Sequence, residues 1–224
     1  MGKLHNSRRK FHCEGGFDFC GERVYHYNNE TFLDNTRKEV MNMTNTVTRA
    51  QSSNKVRLIT LTGVFAALIY ILTAFVHIPT GAGYTHAGDG IIFLAASLLP
   101  LPYAMAAGAI GGALADGLSG FAVWMPATII IKAVTCLFFS NKGDKIITKR
   151  NLIGIIPSLI LCVVGYSLYQ GIFMTEHFSA ATIGAAFVQT PAYCIQITAS
   201  SVLYILLGKA LDRINFSKFI AHNA

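Results

Sequence analysis

Charge is what this chain has least of. Asp, Glu, Lys and Arg make up 13% of its 224 residues, against 53% hydrophobic residues and a mean hydropathy of +0.47. An ordinary soluble domain carries about a quarter charged residues, so the scarcity excludes that class and marks an integral membrane protein. No G-x-x-x-x-G-K-[ST] occurs, so no nucleotide is held through a phosphate loop of that type. H-E-x-x-H and G-x-S-x-G are missing too, and Ser119, Ser158 and Ser167 have no evident base partner, so the chain is read as a non-enzyme. Of five cysteines, Cys136, Cys162 and Cys194 lie in apolar runs where cysteine acts as a small hydrophobe, and Cys13 with Cys20 lacks the second pair that a metal site needs. Internal inverted repeats, which many secondary transporters carry, are not evident. The net charge of +7 does not point to nucleic acid, because Lys and Arg fall in short clusters between apolar segments, where they set topology.

Met1 to Val40 has no apolar run for a signal peptide and no helical or alternating period. Arg37-Lys38-Glu39-Val40 can be encoded by AGG-AAG-GAG-GTN, which contains a ribosome-binding sequence, and Met41 and Met43 follow at start-codon spacing. Residues 1–43 are therefore expected to be a polar N-terminal segment: either a misassigned upstream leader, with translation starting at Met41 or Met43, or a disordered cytoplasmic tail. Residues 44–224 are expected to form one transmembrane domain.

What is present is a series of apolar segments. Ile59 to Val76 runs about eighteen residues without a charge, roughly 27 Å of helix and enough for one crossing. His77 to Asp89 is a Gly-, Pro- and Thr-containing loop with no Lys or Arg. Gly90 to Leu99, short for a span, precedes Pro100-Leu101-Pro102, and Tyr103 to about Leu118 follows. Ser119 to Pro126 reads as an uncharged turn with Trp124 as an interface anchor. Ala127 to Phe139, Leu152 to Met174 and Ala180 to about Gly208 complete six segments. The basic loop holding Lys142, Lys145, Lys149 and Arg150, and the basic C-terminal Lys209, Arg213 and Lys218, are expected on the cytoplasmic side, which puts both termini inside.

In that arrangement five elements send polar or aromatic groups toward the outer half of the membrane. These are Tyr84, His86 and Asp89 around the start of the second segment, Asp116 near the end of the third, Lys132 in the fourth, and Tyr166, Tyr169 and Gln170 in the fifth. In the sixth, Gln189, Tyr193 and Gln196 form one helical stripe at i, i+4 and i+7. Ionisable groups at membrane depth are costly and so are functional candidates. An outward-opening pocket explains the convergence, with Tyr84, His86, Asp89, Asp116, Lys132, Gln170, Gln189 and Tyr193 as its expected substrate-binding residues. Each residue also has a plainer reading. Asp116 and Lys132 could pair with each other, the glutamines could bond across helices, the tyrosines could belong to an interface belt, and His86 could be a hydrogen-bonding loop residue.

Small residues repeat at four-residue spacing as Ala107, Gly111 and Ala115, as Gly108 and Gly112, and in the first segment as Gly63 and Ala67 beside Ala66. That interval lets helix backbones approach closely in lipid. The third-segment stripe is expected to pack within the chain, and the first-segment face could equally dock a separate membrane subunit.

The loop ending in H-x-G-D at His86 to Asp89, then FLAASLLP, A-x-G-A-I-G-G-A-L-A-D and P-A-T-I-I-I-K, resembles the substrate-binding S components of energy-coupling factor (ECF) transporters. The likeness spans about Val56 to Phe216. It implies an all-α, six-helix, multi-pass protein of the bacterial cell membrane that captures a small vitamin or related micronutrient from outside. Its implied partners are a transmembrane coupling subunit, contacted through Gly63, Ala66 and Ala67, and two ATP-binding-cassette ATPases that bind the ATP. No cofactor is expected in this chain. The implied lid is His77 to Gly88. The polar set suits a heteroaromatic substrate such as a thiamine precursor, a pyridoxine-like ring or a queuosine precursor. A stand-alone small-solute carrier and an intramembrane enzyme are the alternatives.

Overall fold

The computed structural model describes residues 20–80, 83–175, 179–217 and 220. The chain divides into two units, Met1–Gln51 and Ser52–Ala224. In the first, described from residue 20, the backbone is helical and belongs to α1 (Cys20–Ala74). The side chains of residues 32–47 are exposed on every side, and Thr36, Thr44 and Thr46 return their hydroxyls to the carbonyls four residues back. A helix there differs from the aperiodic reading of the sequence. Without a packed face there is no apolar period to see, because the period reports burial and not helicity.

The second unit holds the rest of the fold. After α1 come the hairpin strands β1 (His77–Thr80) and β2 (Gly83–His86), then α2 (Asp89–Leu98), α3 (Leu101–Leu118), α4 (Met125–Thr135), α5 (Lys149–Ile153), α6 (Ile155–Phe173), α7 (Ala180–Ala186) and α8 (Thr190–Arg213). Three stretches are long and apolar enough to cross a membrane: Asn54–Ala74, Lys149–Phe173 and Ala181–Arg213. Asp89–Leu98 and Ala122–Phe138 are apolar but shorter.

The burial pattern is that of a protein in lipid. On α6 the exposed stripe is Ile156, Ile160, Val164, Leu168 and Ile172, whereas Ser158, Cys162, Tyr166, Ser167 and Gly171 are buried. Apolar residues outward with small and polar residues inward inverts the soluble rule, as expected where lipid is the solvent and packing and hydrogen bonds hold helices together. All ten residues of α2 are buried. At about 15 Å this helix is too short to span and is instead the centre of the bundle, packed by α3, α4 and α8.

The small-residue stripe of α3 packs within the chain, as expected. A Cβ on Gly112 would stand 2.7 Å from Thr128 Cγ2 of α4, and one on Gly111 would stand 2.6 Å from the Ala66 carbonyl oxygen of α1. Neither distance leaves room for a side chain, so the two glycines set how closely α3 approaches both neighbours. The loop before α2 folds as an antiparallel hairpin with His77 opposite His86 and Ile78 opposite Thr85, a small β element in an otherwise helical chain. Its uncharged, Thr-containing sequence gives no alternating period strong enough to announce a strand pair.

Candidate functional site

A small, partly open cavity lies where β2, α3, α4, α6 and α8 converge. Its aromatic wall is Trp124, Tyr166 and Tyr193; its polar groups are His86, Asp116, Thr128, Gln189 and Gln196. Tyr166 stacks on Tyr193 with ring centroids 5.7 Å apart, and Trp124 meets Tyr166 edge-on at 5.8 Å. The Tyr166 hydroxyl shares a 3.1 Å hydrogen bond with Thr128 Oγ1, and Tyr169 donates to the Val123 carbonyl at 2.7 Å. These contacts hold the rings in fixed orientations, which suits a flat partner.

Behind the wall sits an ion pair. Lys132 Nζ donates to Asp89 Oδ1 at 2.5 Å, and Gln196 Nε2 donates to Asp89 Oδ2 at 2.7 Å. Lys132 also stands 5.4 Å from the centroid of Tyr166, within cation–π range. Helix geometry explains the meeting: Asp89 opens α2, Lys132 lies two turns into α4, and Gln196 lies two turns into α8. Such a pair is tolerable only when both charges are matched and hydrogen-bonded, as here.

His86 closes β2 above this layer. Its Nδ1 accepts from the Gly88 amide at 3.1 Å, and the neighbouring Thr85 hydroxyl donates to the Ala192 carbonyl at 3.4 Å, so the hairpin is fastened to α8 beside the cavity. Burial pulls the imidazole down to about 4, against the opposing attraction of Asp89, so it is neutral at physiological pH.

The residues singled out in the sequence separate into two layers. His86, Asp116, Gln189 and Tyr193 line the cavity. Asp89, Lys132 and Gln170 stand behind it, Gln170 accepting from Gln189 Nε2 at 3.3 Å. The backbone of Tyr84 is in β2, but its side chain lies outside the described residues. Asp116 and Lys132 were the ion pair suggested by the sequence; in the fold Lys132 pairs with Asp89, which the hairpin delivers to it, and Asp116 faces the cavity. Trp124, read as an interface anchor, is 6% exposed because the Ala122–Trp124 turn tucks the indole against Tyr166. Thr128 carried no sequence signal beyond its place one turn before Lys132. Gln196 was visible as the third member of the α8 stripe. Of the small residues on α1, Gly63 and Ala67 are exposed, whereas Ala66 is buried toward Gly111.

Among the described residues no cluster of three His, Cys, Asp or Glu is placed to hold a metal ion. No curated protein matches the chain. The family model described as "ECF-type riboflavin transporter, S component" matches residues 53–213, which begin just after the boundary of the second unit and end with α8. With most of the chain so matched, and with apolar helices enclosing a polar cavity, this protein belongs to the S components of ECF-type transporters, the membrane subunits that bind the transported substrate.

Proposed function

We propose that this S component captures a small heteroaromatic micronutrient from the outer side of the membrane and passes it inward when joined to a coupling subunit and two ATP-binding-cassette ATPases, which bind the ATP. Six helical segments cross or enter the membrane with both termini cytoplasmic, as the basic residues of the 142–150 loop and the C-terminal segment favour. Gly63 and Ala67 form the exposed part of the face toward the coupling subunit, and Ala66 supports it from inside. The single observation that carries the substrate class is the cavity itself: three aromatic rings on one side, with a carboxylate, an imidazole and two carboxamides around them. Rings stack a flat ligand and the polar groups read its edge. Lys132 is engaged with Asp89, so the wall offers a phosphate no matched cation. A thiamine precursor, a pyridoxine-like ring or a queuosine precursor meets these conditions. Mass spectrometry of small molecules retained by the purified protein tests the class; retention of an aliphatic or phosphorylated compound would refute it. Uptake that proceeds in membranes without the ATPases would favour a stand-alone carrier instead.

One observation favours a second reading, riboflavin: the matching family is that of the riboflavin-transporter S components. A bound flavin would give the purified protein a yellow absorbance with fluorescence quenched by the adjacent rings. A colourless protein that ignores added riboflavin excludes it.

A further inference from the structure

The ion pair is hydrogen-bonded to one residue of the cavity wall, Gln196. Asp89, Lys132 and Gln196 are all buried, at 2%, 3% and 2% exposure, yet of the three only Gln196 lies on the cavity wall. A carboxylate accepts hydrogen bonds and cannot donate them, so it dictates which end of a facing carboxamide it meets. With one N–H of Gln196 Nε2 donating to Asp89 Oδ2 at 2.7 Å and the nitrogen also 4.0 Å from Cys162 Sγ, a weak acceptor for the other N–H, the amide carbonyl is the polar atom left for the cavity. Lys132, at 2.5 Å from the other carboxylate oxygen, supplies the counter-charge that lets Asp89 stand there ionised. Without a charged partner the amide could turn either end to the cavity.

We infer that Asp89 and Lys132 are positioning residues for substrate selection. Their ion pair locks the Gln196 carboxamide with its carbonyl toward the cavity, so the site takes a ring whose facing edge carries an N–H or O–H donor and rejects a ring that presents an acceptor there. A buried acceptor left facing another acceptor loses its hydrogen bond on both sides, which is how polar sites discriminate between isosteres. This selection rule rests on the heteroaromatic substrate proposed above, whereas the orientation of the amide does not.

The test has a ligand-free arm and a ligand arm. In the detergent-solubilised full chain labelled with ¹⁵N-glutamine, the side-chain amide of Gln196, assigned by its loss in Gln196→Met, exchanges with water at least about tenfold more slowly than that of Gln170. The neutral double variant Asp89→Leu/Lys132→Met, with Asp89→Asn/Lys132→Met as a second form, removes the ion pair without stranding a charge and abolishes that protection. An amide that exchanges as fast as Gln170 in the parental chain, or stays protected in both double variants, overturns the inference without reference to any ligand. In the ligand arm, an aminopyrimidine binds the parental chain at least about tenfold more tightly than the corresponding methoxypyrimidine. The double variants bring that ratio toward unity, and the methoxy probe binds them more tightly than it binds the parental chain. A gain for the acceptor probe is something a merely structural role would not produce. An unchanged ratio overturns the selection rule. Failure of both probes to bind the parental chain counts against the substrate class, and the exchange arm then decides the inference alone.

Discussion

Two buried polar centres sit in the second unit, and they are built differently. The one beside the cavity is charged: Asp89 and Lys132 with Gln196 attached, next to open space lined by rings. The other is built on a buried carboxamide. Asn151, fully buried, donates to the Ser140 and Ile146 carbonyls and to Ser97 Oγ, and accepts from the Ser140 amide; Tyr204 adds hydrogen bonds to Ser97 and to the Ile146 carbonyl. Asp212 completes it by accepting from the Ile146 and Ile147 amides, which fastens the 140–151 loop to α8. Both centres use polar groups in an apolar bundle, and the first borders a cavity. Buried polarity alone is weak evidence for a binding site; polarity that faces space makes the better candidate.

Breaking the charged centre gives the largest effect. Lys132→Ala strands a buried carboxylate and is expected to cost about 3–5 kcal/mol, read by thermal denaturation in detergent, whereas Asp89→Leu/Lys132→Met stays within about 1–2 kcal/mol of the parental chain. A single variant as stable as the double would show that the pair carries no buried charge. The same centre is pH-sensitive through His86, which faces Asp89, Lys132 and His77. Its folded pKa of about 4 lies below the ordinary 6.5, so the folded chain refuses a proton that the unfolded chain takes. Stability present above pH 6.5 is then lost as the pH falls toward 4, by up to about 3 kcal/mol, and His86→Gln flattens that slope. A profile of the same slope in His86→Gln would assign the effect to another group.

The centre around Asn151 is expected to affect stability and not ligand binding. Asn151→Ala takes the partner from the half-buried Ser140 amide and carbonyl and one of two donors from the Ile146 carbonyl, and is expected to cost about 2 kcal/mol, with no change in affinity for whatever the parental protein retains through purification. A change in affinity would mean that the two centres are coupled along α2 and α8. The smallest effect sharpens the contrast: Asp116→Asn, on the cavity wall, weakens binding about tenfold, near 1.4 kcal/mol, while the melting temperature of the ligand-free protein moves little. Equal affinity in titration calorimetry would remove Asp116 from the ligand contacts.

Part of the cavity lining could be read from the chain because hydropathy and helix period mark which polar groups share a segment and a face. His86, Asp116, Gln189 and Tyr193 were placed near one another by orientation and stripe spacing, and the cavity holds all four. Which of the polar residues touch the cavity and which stand behind it could not be read. Asp89 and Asp116 are equally acidic in sequence, and Lys132 can reach either from its place on α4. The hairpin that carries the chain into α2 decides the pairing by setting Asp89 against Lys132. Trp124 was misplaced for a similar reason: an uncharged turn with one tryptophan has the composition of an interface anchor, and only its packing on Tyr166 makes it a cavity wall.

By itself the sequence determined that this is a membrane protein and that its helices carry small residues where backbones must approach. These follow from hydropathy, residue size and charge, which act locally and leave a mark in composition and period. Only the tertiary structure decided that α2 is a buried core helix, that Asp89 and not Asp116 takes Lys132, and that Gln196 joins that pair to the cavity wall by a hydrogen bond. Those choices depend on distances between segments far apart in the chain, and a buried charge takes the partner that the fold brings within hydrogen-bond reach.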